Sequence, residues 1–202
     1  MRFLLGVDEA GRGPLAGPVA VGVVAVPEGF DVVKEFPGVA DSKTLSEKKR
    51  EKLFEMLKTR VAKGDARFLV ELESAAVIDQ AGIVVAVRTA LNRGVNALAP
   101  HPFGYPDAGD AALVKVFLDG SLKAPAEYAQ ETIIGGDASV PLISLASIAA
   151  KVTRDRLMRE LASAYPLYGF EAHKGYGTKA HYVALRKYGP CAIHRSSFVH
   201  LT

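Results

Sequence analysis

Residues 4–18, LLGVDEAGRGPLAGP, run an apolar stretch into two adjacent carboxylates, Asp8 and Glu9. The chain then turns through Gly11, Arg12 and Gly13 to a second break at Gly17 and Pro18. An acid pair at the mouth of a buried strand is costly unless it is neutralised, and a bound cation is the usual remedy. An apolar, β-branched run at 19–26 follows directly, so 2–7 and 19–26 read as two strands of a hairpin. This order excludes a dinucleotide-binding fingerprint. The glycines are spaced G-x-G-x-x-x-G, and a strand stands where that motif needs a helix. The stretch points instead to metal-dependent chemistry on a phosphate-bearing substrate.

Further along, 27–40 reads as loop. Thr44 and Glu47 form a capping-box pair for a helix whose apolar face is Leu53, Phe54, Leu57 and Val61. Residues 67–73 alternate as a strand with Phe68, Val70 and Leu72 on one side, and a longer helix follows to about Leu98, carrying Val84, Val87, Leu91 and Val95. The Pro- and Gly-rich 100–109 is a loop. A buried strand at 113–118 runs into Asp119 and Gly120, and a further strand at 131–134 ends at GGD with Asp137. SLASIAAKVTRDRLMRELASAYP is a long helix, YGFEAHKGYGT a loop, and 179–188 a last helix stopped by Gly189 and Pro190. A hairpin followed by alternating helices and strands predicts an α/β fold, a mixed sheet with helices on both faces.

The 202 residues, 49% hydrophobic and 23% charged, suit one domain with a full core. The lone Cys191 cannot form an internal disulfide and reads as a small buried hydrophobe in a reducing compartment. Asp8 and Glu9 interrupt any signal-peptide pattern, and no stretch approaches the ~20 apolar residues of a membrane span. A cytoplasmic location is expected. Residues 138–202 hold nine Lys/Arg against three Asp/Glu, and the first 137 hold sixteen against nineteen. An acidic front and a basic back suit a nuclease that needs cation ligands and a grip on a phosphate backbone.

Asp8, Glu9, Asp119 and Asp137 each fall at or just after the end of an apolar strand, where ligand sites of open α/β sheets gather. Carboxylates without His or Cys select Mg²⁺ or Mn²⁺, and a pair of such ions about 4 Å apart can serve both the attacking and the leaving oxygen. Adjacent strand residues point to opposite faces, so Asp8 and Glu9 share a site only if the strand ends or twists there. Ala10 and Gly11 permit that, and the Glu9 carbonyl is an alternative ligand.

GVDEAGRGPLAGPV, DSKTLSEKKRE, LDG, GGD, SIAAKVTRD and YPLYGFEAHKGYGT, in this order over nearly the whole chain, resemble bacterial ribonuclease HII, the type 2 ribonuclease H family. The resemblance implies a ribonuclease H-like fold with a helical C-terminal portion, one unit over 1–202 with a catalytic core to about 160 and a substrate-binding loop and helix over 161–202. It implies an endonuclease that cuts the RNA strand of RNA–DNA hybrids and single ribonucleotides in duplex DNA, leaving 5′-phosphate and 3′-hydroxyl ends. Asp8, Glu9, Asp119 and Asp137 match the family's metal-binding acids, with Mn²⁺ or Mg²⁺ as cofactor and two ions in the reactive complex. Another ribonuclease H-like nuclease and a non-cleaving hybrid-binding module are the alternatives.

In the same resemblance Gly11, Arg12 and Gly13 match the turn that reads the 2′-hydroxyl through its backbone, and Tyr176 the tyrosine that packs on the next sugar. Tyr165 and Tyr168 are its rivals by position. Lys43, Lys151 and Arg154 are candidate phosphate contacts, with Ser147 assisting. Asp155 is an alternative acid more suited to an ion pair within its helix, and His173 and His194 contact substrate or hold structure. A monomer is expected, as the enzyme must wrap duplex.

Overall fold

Residues 19–26 are buried throughout, which is how the interior strand of a sheet covered on both faces must look. The computed structural model describes residues 2–39, 44–99 and 111–200. In chain order the elements are β1 (Phe3–Ala10), β2 (Val19–Pro27), α1 (Val32–Glu35), α2 (Glu47–Lys63), β3 (Arg67–Glu73), α3 (Ala75–Ala81) and α4 (Ile83–Leu98). After these come β4 (Val114–Asp119), β5 (Ala129–Ile133), α5 (Gly136–Ser139), α6 (Pro141–Ala164), α7 (Phe170–His173) and α8 (Lys179–Tyr188). The strands form one sheet in the order β3-β2-β1-β4-β5. The β1–β2 hairpin and β3 pair antiparallel, whereas β4 and β5 add parallel to β1, so the sheet is mixed as expected.

Alternation along β1 and β2 feeds two cores. Leu5, Val7, Val21 and Val23 pack with Val87, Leu91 and Val95 of α4 on one face. Val24 and Val26 pack with Phe54 and Leu57 of α2 and Leu142, Leu145 and Ile148 of α6 on the other. Helix α6 lies almost on the strand backbone. A Cβ on Gly22 would stand 2.2 Å from the Ala146 carbonyl oxygen, and one on Gly6 2.4 Å from that of Leu142. Those two glycines set the depth of α6 against the sheet.

Several local expectations change. Helix α2 is capped by Ser46, whose side chain accepts from the Lys49 amide; Ser46 is the residue with extended backbone, so the cap falls two positions after Thr44. The helix expected to run on to Leu98 is two, α3 and α4, bent by 118° at Gly82. This bend leaves Val84 exposed while Val87, Leu91 and Val95 stay in the core. The loops expected at 27–40 and 168–178 contain the single turns α1 and α7, and 100–109 lies outside the described residues.

The C-terminal portion folds back on the loop between β1 and β2. Leu15 and Ala16 pack with Met158, Tyr168, Phe170 and Leu185. The Gly17 amide donates to the Ile193 carbonyl at 2.8 Å, and the Arg195 amide to that of Leu15 at 2.8 Å. Beneath lies a histidine chain. The Cys191 amide donates to His194 Nδ1 at 2.9 Å, His194 Nε2 meets His181 Nε2 at 3.0 Å, and His181 Nδ1 meets the Tyr176 carbonyl at 2.9 Å. A carbonyl only accepts, so His181 Nδ1 donates to it, and the remaining bonds fix neutral tautomers for both rings. His194 is therefore structural. Half-buried Cys191 lies with its sulfur 3.1 Å from His194 Nδ1, and burial pushes its thiol pKa up, against an activated nucleophile.

Two predictions follow from this packing. Gly22→Ala must drive α6 off the sheet and should cost about 2 kcal/mol or more in urea unfolding; a loss below about 0.5 kcal/mol would contradict the close approach. Burial holds His181 down to about 4 and lowers His194 as well, each below the ordinary value of 6.5. Between pH 4 and 6.5 these two rings bind more protons in the unfolded chain than in the folded one. Their contribution to stability is fully present above pH 6.5 and lost as pH falls toward 4, by about 3 kcal/mol for His181 alone. Unfolding curves of wild type and His181→Gln from pH 4 to 7.5 should differ by that pH-dependent amount, and a difference independent of pH would contradict it.

Candidate active site

The parallel ladder between β1 and β4 ends at Val7 opposite Leu118, so the next residues, Asp8 and Asp119, stand side by side. Both project to the α6 face, because Val7 and Leu118 belong to the core on the α4 side. Asp137 reaches the same point from a different element than expected. It does not end a strand: β5 stops at Ile133, and Asp137 lies in the first turn of α5. Its amide donates to Asp119 Oδ1 at 3.3 Å, while the Ser144 hydroxyl holds its carbonyl at 2.6 Å. One carboxylate oxygen from each of Asp8, Asp119 and Asp137 lies within 4.8 Å of the others, and Asp8 and Asp137 are buried.

Three converging carboxylates repel one another. Burial first, and then the charge of Glu9, push the Asp8 pKa up to about 8, against the opposing hydrogen bond from Ser147. At pH 7 Asp8 therefore holds a proton unless a cation takes its place.

Glu9 departs from the expectation that its carboxylate joins the cluster. It continues the strand alternation and projects to the other face, where its Oε1 accepts from Arg12 Nη1 at 2.9 Å. It still lines the same cleft, and its Oε2 is buried without a hydrogen-bond partner among the described residues. An orphaned carboxylate oxygen beside three clustered acids, with no His or Cys in the set, fits a hard divalent cation.

The remaining wall of the cleft is Gly11, Arg12, Gly13, Ser147, Lys151 and Tyr176. Lys151 Nζ pairs with Asp155 at 2.8 Å and stands 5.6 Å from the centre of the Tyr176 ring, which is 40% exposed. Asp155 is thus spent on an ion pair within its helix. Tyr168 is buried with its hydroxyl on the Gly189 carbonyl at 2.8 Å, and Tyr165 packs in the same core, which leaves Tyr176 as the tyrosine at the cleft. His173 is held by the Tyr168 carbonyl and the Gly175 amide. Lys43 lies outside the described residues.

Arg154 is corrected outright. It is fully buried, and its guanidinium donates to the carbonyls of Pro18, Lys174 and Ala16, so nothing of it reaches a phosphate. Arg195, which sequence reasoning passed over, is equally buried and donates to the carbonyls of Gly17, Arg12 and Gly11 at 3.0, 2.8 and 2.7 Å. Burial lowers the pKa of Arg154, and burial together with the neighbouring Arg154 charge brings that of Arg195 to about 9; no carboxylate forms an ion pair with either among the described residues. Local sequence carries no signal for this, as the carbonyls Arg195 holds lie 178 to 184 positions away.

Comparison with known proteins sets these features in a family. The Ribonuclease HII family model matches residues 5–201. A ribonuclease HII of Endomicrobium trichonymphae is 46% identical over 96% of this chain and 83% of its own length. One of Burkholderia thailandensis is 47% identical over 97% and 83%. Among solved structures, the PCNA:RNase HII complex from Archaeoglobus fulgidus shares the fold at a TM-score of 0.75, with 22% identity over 99% of this chain and 96% of that one. Ribonuclease H2 from Pyrococcus horikoshii follows at 0.69, with 26% identity over 96% and 93%. A Bst-RNase HIII in complex with Mn²⁺ matches at 0.60, with 17% identity over 93% and 63%.

Proposed function

As the chain belongs to the ribonuclease HII family and is a metal-dependent endoribonuclease of the type 2 ribonuclease H class, we propose that it cuts the RNA strand of RNA–DNA hybrids and single ribonucleotides embedded in duplex DNA. The carrying observation is the convergence of Asp8, Asp119 and Asp137, the first two lining a cleft whose wall includes the glycine-rich turn at 11–13. We assign these three carboxylates, with Glu9 Oε2 beside them, as the groups that hold Mg²⁺ or Mn²⁺, two ions in the reactive complex. The Mn²⁺ bound by the related RNase HIII fold supports the choice.

A divalent cation held there supplies Lewis acidity for the attacking water and for the leaving 3′-oxygen. The chain's own groups do the rest. Ser147 orients the Asp8 carboxylate, whose proton leaves as the cation is taken up. Lys151 offers its ammonium to a backbone phosphate near the scissile bond, and Tyr176 gives a sugar a flat surface to pack on. In-line attack of water on phosphorus breaks the P–O3′ bond and leaves 5′-phosphate and 3′-hydroxyl ends. The proposed enzyme is one unit over 1–202, its C-terminal portion joined to the loop after β1 through the bonds of Ile193 and Arg195. It works as a cytoplasmic monomer in ribonucleotide removal, where its DNA substrate lies and the cleft stays open to duplex.

A duplex carrying one ribonucleotide, incubated with Mg²⁺ or Mn²⁺, should be cut at that residue, and Asp119→Asn should lower the rate ~100-fold or more. Uncut duplex, or a rate indifferent to Asp119→Asn, would sink the reading. Tyr176→Ala should slow cutting at a single ribonucleotide about tenfold more than cutting of a long hybrid, a difference of ~1.4 kcal/mol that stacking on one sugar–base unit can supply. Equal losses on the two substrates would remove Tyr176 from junction reading.

A further inference from the structure

The two amides that face the cleft are turned outward by a side chain on their far side. A trans peptide plane carries its C=O and the following N–H on opposite edges. Arg195 holds the carbonyls of Gly11 and Arg12 inward at 2.7 and 2.8 Å, so the amides of Arg12 and Gly13 must point the other way, toward the cleft these residues line. Among the described residues neither amide has a hydrogen-bond partner. Free backbone donors beside a carboxylate cluster are the complement of an oxygen on the substrate.

The geometry also prevents the turn from relaxing. Arg195 is fully buried, its third contact is the Gly17 carbonyl, and its own amide is tied to Leu15. Arg154 closes the other side: a Cβ on Gly11, whose φ is +92°, would lie 2.1 Å from Arg154 Nε, so the backbone rests directly on that guanidinium. The same clamp reaches the tyrosine loop. Leu15 donates to the Gly175 carbonyl at 2.8 Å, and Arg154 binds the Lys174 and Ala16 carbonyls.

We propose that Arg195 is the positioning residue for sugar discrimination: by drawing the Gly11 and Arg12 carbonyls inward it presents the Arg12 and Gly13 amides to the ribose hydroxyl of the substrate. The inference rests on the ribonuclease reading above. It does not touch the cutting chemistry, because Arg195 contacts none of the carboxylates. A lysine in its place keeps one cation but not the fork that holds several carbonyls at once.

The test compares wild type with Arg195→Lys for binding to two duplexes of one sequence, with a single ribonucleotide or all deoxyribonucleotide, in Ca²⁺ to suppress cleavage. Arg195→Lys should narrow the ribonucleotide preference about tenfold and leave affinity for the all-DNA duplex within about twofold, the tenfold loss being ~1.4 kcal/mol. An unchanged preference in a folded variant would overturn the proposal. So would an equal loss on both duplexes, which marks the amides as phosphate contacts. Should the variant not fold, the Asp119→Asn protein answers by NMR: the Arg12 and Gly13 amide protons should shift with the ribonucleotide duplex and not with its DNA counterpart, and equal shifts would overturn the idea. Failure of the parent reading is separately visible as absence of cleavage by wild type.

Discussion

Two guanidinium groups, buried and without a carboxylate partner among the described residues, hold the cleft side of this molecule together. Arg154 and Arg195 donate to carbonyls of Gly11, Arg12, Ala16, Gly17, Pro18 and Lys174. Desolvating a cation costs several kcal/mol, and the depressed pKa of each group records that cost. Carbonyl dipoles at hydrogen-bond distance offset it because guanidinium is planar and presents its donors in a fixed fork. Through these contacts the loop after β1, the end of α6 and the C-terminal segment behave as a single support. The turn at 11–13 needs such a support, since its backbone forms no ladder of its own.

The carboxylate cluster is set by a different constraint, the approach of α6 to the sheet. Gly6 and Gly22 remove the side chains that would hold α6 off, which brings Ser147 onto Asp8 and Ser144 onto the Asp137 carbonyl. Sheet register supplies the remainder by leaving Asp8 and Asp119 as neighbours just past the last ladder pair. The acids are consequently pressed together by packing they do not control. A cation held there would relieve the repulsion and tie stability and catalysis to the same charge balance.

Much of this arrangement was legible residue by residue. Asp8 and Asp119 could be recognised as strand-end acids because an apolar run that stops on an acid shows itself locally, and the end of α8 was marked by Gly189 in the way helix ends usually are. Glu9 was harder: adjacency in sequence put it beside Asp8, while the period of a strand put its carboxylate on the other face. Arg154 and Lys151 lie three positions apart on one basic helix, and only burial separates the first, spent on backbone carbonyls, from the second, at the cleft wall. His194 belonged to an internal hydrogen-bond chain whose members are brought together by the fold.

By itself the sequence determined the class of fold, the family and the candidate acids, because hydrophobic period, strand-end acids and ordered motifs are written in neighbouring residues. The tertiary structure alone decided how the turn after Asp8 and Glu9 is oriented, which arginines are spent inside, and that Asp137 arrives on a helical turn. Those outcomes depend on contacts between residues more than a hundred positions apart, such as Arg195 with Gly11, and no local pattern encodes them.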